Sequence, residues 1–156
     1  MTNQSEKIMI DNHQKNIATF IHLSTFSRFV IPLGNFIGPI VLWVINKDKS
    51  EFIDEHGKQA INFQMSVFLY ALIIGTLSVP FFIFNIFNGF DFFDFNGFGN
   101  FNISIGKPSA LLYIGGGLGV LAVIGFIIEL ILIIVASLKA RDGEPYNYPF
   151  TINFLK

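Results

Sequence analysis

The sequence predicts an all-α, polytopic membrane helical bundle with four spans: a short N-terminal hairpin plus two long helices, with an interfacial helix before the third span. Three observations predict it. Charged residues make up 13% of the 156-residue chain and hydrophobic residues 52%, with mean hydropathy +0.57. A soluble domain carries roughly 25% charged residues, so the surplus apolar surface here calls for lipid as its solvent. Apolar stretches recur four times along the chain, and two of them are long enough to cross a bilayer. Finally, Lys and Arg are unevenly shared among the connecting segments. The same composition excludes a disordered chain, a coiled coil and a disulfide scaffold. With no Cys in the sequence there is no disulfide, thiol nucleophile or Cys-ligated metal. A net charge of −1 gives no reason to expect nucleic acid as a partner.

Residues 1–16 read as a polar cytoplasmic N-terminus. They lack the apolar core of a secretory signal, and Glu6 and Asp11 with no Arg before Arg28 are unlike a transit peptide. The chain is therefore expected to enter the membrane by its own hydrophobic segments, in a membrane domain spanning 17–142. The four apolar stretches are 17–31, 36–45, 60–87 and 110–138. As helices they are about 22, 15, 42 and 43 Å long, against a bilayer core of about 30 Å. Residues 17–45 have two readings: one helix kinked near Pro32 and Gly34, or a tight hairpin of two short helices. The turn residues of Pro32–Asn35 favour the hairpin, and Gly38–Pro39 interrupts its second limb again.

The connector after the hairpin reads as a helix lying on the membrane that then turns into the third span. Ser50 is placed to cap it, Asp54 and Lys58 to pair at i,i+4, and Phe52, Ile53 and His56 to rest in the interface. Pro80 predicts a kink in the third span. The outer loop 88–109 is rich in Phe, Asn and Gly. Its rings are expected to sink into the headgroup region or to form a docking patch, and Asp91 with Asp94 is a weak cation signal. In the fourth span, Gly115-xxx-Gly119 is a small-residue face, by default for internal packing. Lys47, Lys49 and Lys58 on one side and Lys139 and Arg141 on the other, against Lys107 alone in the outer loop, place both termini in the cytoplasm. That side includes a C-terminal tail, 143–156.

Ionisable residues inside spans are costly and mark function. Here they are His22, Arg28 and Glu129, at depths of about 9, 18 and 14 Å counted from the cytoplasmic ends. The depths of Arg28 and Glu129 predict an ion pair. Ser24, Thr25 and Ser27 make the hairpin polar. They either help to admit water or bond back to carbonyls of their own helix. His56 beside Asp54 and Glu55 looks metal-like, but the three do not share a helical face. No HExxH, P-loop, GxSxG or dinucleotide fingerprint is present. The expectation is a protein that is not an enzyme and has no catalytic, cofactor or metal site.

Two blocks carry a resemblance. PLGNFIGPIVLWVINKDKSEFIDEHGKQAINFQMSVFLY (32–70) and ASLKARDGEPYNYPFTINFL (136–155), with His-Leu-Ser at 22–24, resemble a bacterial domain-of-unknown-function family of small four-span membrane proteins. That family is grouped with the Tic-twenty subunit of the chloroplast inner-envelope protein-import translocon. The matched positions are Gly34, Asn35, Gly38, Pro39, Trp43, Asp54, Glu55, His56, Asn62, Phe63, Gln64 and Tyr148. The resemblance implies four spans with both termini cytoplasmic, and it offers no catalytic residues. Gly34 and Gly38 suit close packing, Trp43 the interfacial belt, and Asn62 and Gln64 bonds between helices. The functional expectation is a non-enzymatic subunit or accessory factor of a complex in the bacterial cytoplasmic membrane. Protein translocation or insertion is its suggested role, with other membrane subunits as partners. The alternatives are a small ion or solute channel using His22, Arg28 and Glu129, or a structural or stress-related protein without cargo.

Overall fold

A computed structural model describes residues 10–94, 102–105 and 110–156; the side chains of 81, 82, 84–94, 102–105, 110–112 and 115 are outside the description. The elements in order are α1 (Asn12–Leu23), a 3-10 segment (Ser24–Phe29), α2 (Gly34–Asn46), a short 3-10 turn (Lys47–Lys49), α3 (Glu51–Gly89), strands β1 (Phe90–Asp94) and β2 (Asn102–Ile105), and α4 (Ala110–Asp142). The chain divides into two compact units. Unit 1 is Met1–Phe68 with Ile128–Lys156, and unit 2 is Leu69–Ile127.

Unit 1 holds the folded core. After α1 the chain tightens into the 3-10 segment because three hydroxyls each take a carbonyl three residues back: Ser24 to Ile21 at 2.6 Å, Thr25 to His22 at 2.7 Å and Ser27 to Ser24 at 2.7 Å. The local reading of these hydroxyls therefore holds. Residues 30–33 turn the chain, with Leu33 in the left-handed region at φ 60°, and α2 packs back on α1 and the 3-10 segment as a hairpin. Two glycines allow this approach. A Cβ on Gly34 would lie 2.4 Å from the Ser27 backbone, and one on Gly38 would lie 2.6 Å from the Ser24 carbonyl. α2 runs through Pro39 without a break, so the second interruption expected at Gly38–Pro39 does not occur.

Two apolar clusters fill unit 1. Ile21, Ile53 and Ala60 gather Ile17, Leu42 and Trp43; Phe63, Ile133, Ala136 and Tyr148 gather Phe26, Val67, Leu132 and Tyr146. The connector differs from its expectation. Residues 51–89 form one continuous helix, capped by Ser50 through Ile53 N at 3.4 Å, with no turn between an interfacial segment and a span. Ile53 and His56 are buried in the protein core instead of resting on a membrane. The Asp54–Lys58 pair forms at 2.6 Å.

Unit 2 comprises the continuation of α3, the antiparallel β1–β2 ladder and the start of α4. Phe90 pairs with Ile105 and Asp91 with Ser104, with an irregularity before Asp94–Asn102. The segment 88–109 thus holds a helix end and a two-stranded ladder, where a loop was expected. The membrane and docking roles expected for its Phe rings, and the cation role of Asp91 and Asp94, lie outside the described side chains. The glycine face is also different from its default reading. A Cβ on Gly116, Gly117, Gly119 or Gly125 would meet nothing within 4 Å, so these glycines do not serve a close internal contact; Gly115 lies outside the described side chains. Among the described residues two stretches are long and apolar enough to cross a membrane, Glu51–Pro80 and Gly116–Asp142, with mean hydropathy 1.7 and 3.1. Pro80 lies within α3.

Candidate functional site

The polar residues singled out from the sequence converge in unit 1 as two networks. The first is an ion-pair cluster. Arg28, at the end of the 3-10 segment, meets Glu129 of α4 through both guanidinium nitrogens, one bond being Nη1 to Oε2 at 3.0 Å. Gln64 of α3 sits between them. Its Oε1 accepts from Arg28 Nη2 at 2.8 Å and from Asn35 Nδ2 at 2.9 Å, and its Nε2 donates to Glu129 Oε1 at 3.3 Å. Glu129 is buried, and Arg28 keeps a fifth of its side chain exposed. The pairing expected from depth is present. Charge and hydrogen bonds from Arg28 and Gln64 replace the water that the Glu129 side chain loses on burial.

The second network is a chain of rings. His22 Nε2 and His56 Nδ1 lie 2.8 Å apart, and Tyr148 OH lies 2.9 Å from His22 Nδ1. Both imidazoles and the phenol are buried. Phe63 stacks on Tyr148 at 4.0 Å and 9°, and Phe52 meets His56 edge-on at 4.3 Å. Burial pushes the Tyr148 phenol well above its ordinary range, with Tyr146 and Glu129 nearby adding to the effect, and burial also raises Tyr146. The His56 Nε2 makes no hydrogen bond among the described residues, and the backbone of Glu144 lies near the ring.

The chain after α4 lies against α3 as a strap. Asn62 holds it with three bonds: its Oδ1 accepts from the backbone N–H of Phe154 at 3.1 Å and of Leu155 at 2.8 Å, and its Nδ2 donates to the Leu155 carbonyl at 2.9 Å. Ser66 accepts from Ile152 N at 2.8 Å. An open groove of about 590 Å³ lies beside the strap, lined by Glu55, His56, Gln59, Asn62, Tyr146 and Asn147 among others. Asn62 therefore binds the tail, while Gln64 alone does the helix-to-helix work expected of the pair. Trp43 is half-buried in unit 1. It covers Gly57, where a Cβ would come within 2.1 Å of its ring, and donates to Asp54 at 2.8 Å.

Asp54, Glu55 and His56 go separate ways. Asp54 turns to Trp43, Glu55 is exposed and His56 enters the ring chain. Among the described residues no three His, Asp or Glu side chains converge on a point that could hold a metal ion. The ring chain itself is the feature that sequence reading misses. His22, His56 and Tyr148 are far apart in sequence and belong to different elements, so no spacing announces them.

No characterised protein and no solved structure matches the chain. The profile of the magnetosome magnetite crystal formation protein family matches residues 13–155. This overturns the resemblance to the bacterial relatives of the Tic-twenty import subunit, and the translocation role inferred through it falls with it. The residues that carried the resemblance explain the error. Gly34, Gly38, Trp43, Asn62 and Gln64 all hold unit 1 together, and a packing signature marks a fold without marking a task. With both networks inside the matched span, the assignment covers the whole folded core: the chain belongs to the magnetosome magnetite crystal formation protein family.

Proposed function

We propose that this protein is an integral membrane protein of the magnetosome that acts in magnetite crystal formation as a non-enzymatic scaffold, in company with other membrane proteins. The family profile over 13–155 carries the reading. The polar core supports the scaffold role: Arg28 and Glu129 neutralise each other, and Gln64 and Asn35 join the same cluster. That arrangement fixes helices and leaves no uncompensated charge to pass an ion.

The proposed topology has four membrane-embedded segments. The first limb of the hairpin, 12 α-helical and six 3-10 residues, is about 30 Å long. The hairpin tip carries Phe29, Val30, Ile31 and Leu33, all exposed, and α2 exposes Ile37, Val41, Val44 and Ile45. An exposed apolar surface of this extent suits lipid. The Lys and Arg distribution orients both chain ends toward the cytoplasm.

Deletion of the gene in a magnetosome-forming bacterium tests the reading, with crystal size and number measured by electron microscopy. Altered crystals restored by the wild-type gene are expected, and unchanged crystals would overturn it. Purified protein in liposomes is expected to pass no ions. Flux abolished by Glu129→Gln would replace the scaffold with a channel.

A further inference from the structure

The tail touches the buried rings at both ends of their chain. Tyr148 reaches His22, and the backbone of Glu144 lies near the His56 ring, whose Nε2 makes no hydrogen bond among the described residues. With both imidazoles neutral, the protons can be placed so that each contact has one donor and one acceptor. Tyr148 donates to His22 Nδ1 and His22 donates through Nε2 to His56 Nδ1, which leaves the His56 N–H at Nε2, on the side without a bonded partner among the described residues. Each nitrogen in the chain then has one role.

An added proton spoils this order wherever it lands. On His56 Nδ1 it would point at the His22 N–H across 2.8 Å. On His22 Nδ1 it would displace the Tyr148 hydroxyl hydrogen. The groups bonded or stacked on the two rings, Tyr148 and Phe52, carry no charge to offset the proton. On α4, Glu129 is bound to Arg28 of the hairpin, and Lys139 to Glu144 of the tail. On α3, Asp54 is bound to Lys58, while Glu55 lines the groove. From α1, Lys15 lies against Gly143.

We propose that residues 144–156 form an acid-released latch, shut while His22 and His56 are neutral and opened when the pair takes up protons. Opening frees Tyr148 and lets His56 turn into the groove beside Glu55. This goes beyond the magnetosome reading and stands independently of it, since it rests on unit 1 alone. A free imidazole titrates near pH 6.5. Below that, each proton taken up on opening favours the open state by about tenfold per pH unit.

The test is hydrogen exchange of the full-length protein in detergent at pH 7.5 and pH 5.0, with rates corrected for intrinsic pH dependence. Protection of the Ile152, Phe154 and Leu155 amides is expected to fall by about tenfold or more on acidification, while residues 128–142 of α4 keep theirs. In His56→Gln, with only His22 left to take up a proton, the fall is expected to shrink to about its square root. The ¹⁵N shifts of the two imidazoles in the wild-type protein give a reading that needs no variant. They are expected to report ring protonation over the pH range in which the tail loosens. Unchanged tail protection in the wild type, an equal fall in His56→Gln, or loosening while both rings stay neutral would each overturn the latch.

Discussion

Both units return hydroxyls to their own helices, but among the described residues the polar bonds between distant parts of the chain lie in unit 1. In unit 1 polar side chains bond across the chain: His22 reaches Tyr148 over 126 residues, Arg28 reaches Glu129 over 101, and Asn62 reaches Leu155 over 93. In unit 2, Thr76 and Ser78 return their hydroxyls to Ile73 and Ile74, one turn back on their own helix. The glycines follow the same division. Gly34, Gly38 and Gly57 are crowded by neighbours, while Gly116, Gly117, Gly119 and Gly125 face open space. The lesson is that unit 1 is specified by particular side chains. Among its described residues, unit 2 shows backbone helix bonds and an exposed apolar surface suited to lipid.

The comparison is broken most severely at the ion pair. Glu129→Leu leaves Arg28 in the core without its carboxylate and is expected to destabilise unit 1 by about 3–5 kcal/mol, read by denaturant unfolding in detergent. Arg28→Met combined with Glu129→Leu is expected to recover most of that loss. A double variant as unstable as the single one would mean that the pair does more than compensate itself.

Gly57→Ala is expected to cost about 1–3 kcal/mol, because the methyl enters the Trp43 ring. Tyr148→Phe removes the donor to His22 and is expected to cost about 1–3 kcal/mol. The phenol also has an alkaline signature. Its pKa is raised in the folded state, so its contribution is complete below about pH 10 and is lost as pH rises further through the folded value. Wild-type protein should lose stability above that pH more steeply than Tyr148→Phe. Equal slopes would show that the phenol titrates freely.

The smallest effect sharpens the contrast. Gly117→Ala in unit 2 is expected to leave stability unchanged or raise it by up to about 1 kcal/mol, through helix propensity alone. A large loss there, measured by the same unfolding, would reveal a contact partner for the glycine face.

The parts of this architecture that were legible in the sequence are those governed by local chemistry. Ser50 caps, Asp54 pairs with Lys58, and Pro32–Asn35 turns the chain, because each depends on neighbours within a few residues. Helical depth arithmetic also brought Arg28 to Glu129, since a shared membrane frame turns residue counts into heights. The rest depended on which faces meet. The seat of Trp43 on Gly57 was not legible, because the two are 14 residues apart on different helices and a helix glycine announces no contact by itself. Ile53 and His56 looked membrane-facing because an apolar helix face reads alike whether lipid or protein covers it. The His22–His56–Tyr148 chain was invisible for the same reason, with three elements each supplying one ring.

The strap on Asn62 has a consequence for how the protein is made. The ribosome delivers His22 and the hairpin early, Asn62 and Gln64 next, and Tyr148 and the strap only after α4 has emerged. At roughly 5–20 residues per second, His22 waits about 6–25 s for its phenol. During that interval the nascent helices carry an imidazole pair and an amide without their tail partners. Unit 1 therefore completes itself only late in translation, and a helper that shelters the half-built core would act in that interval.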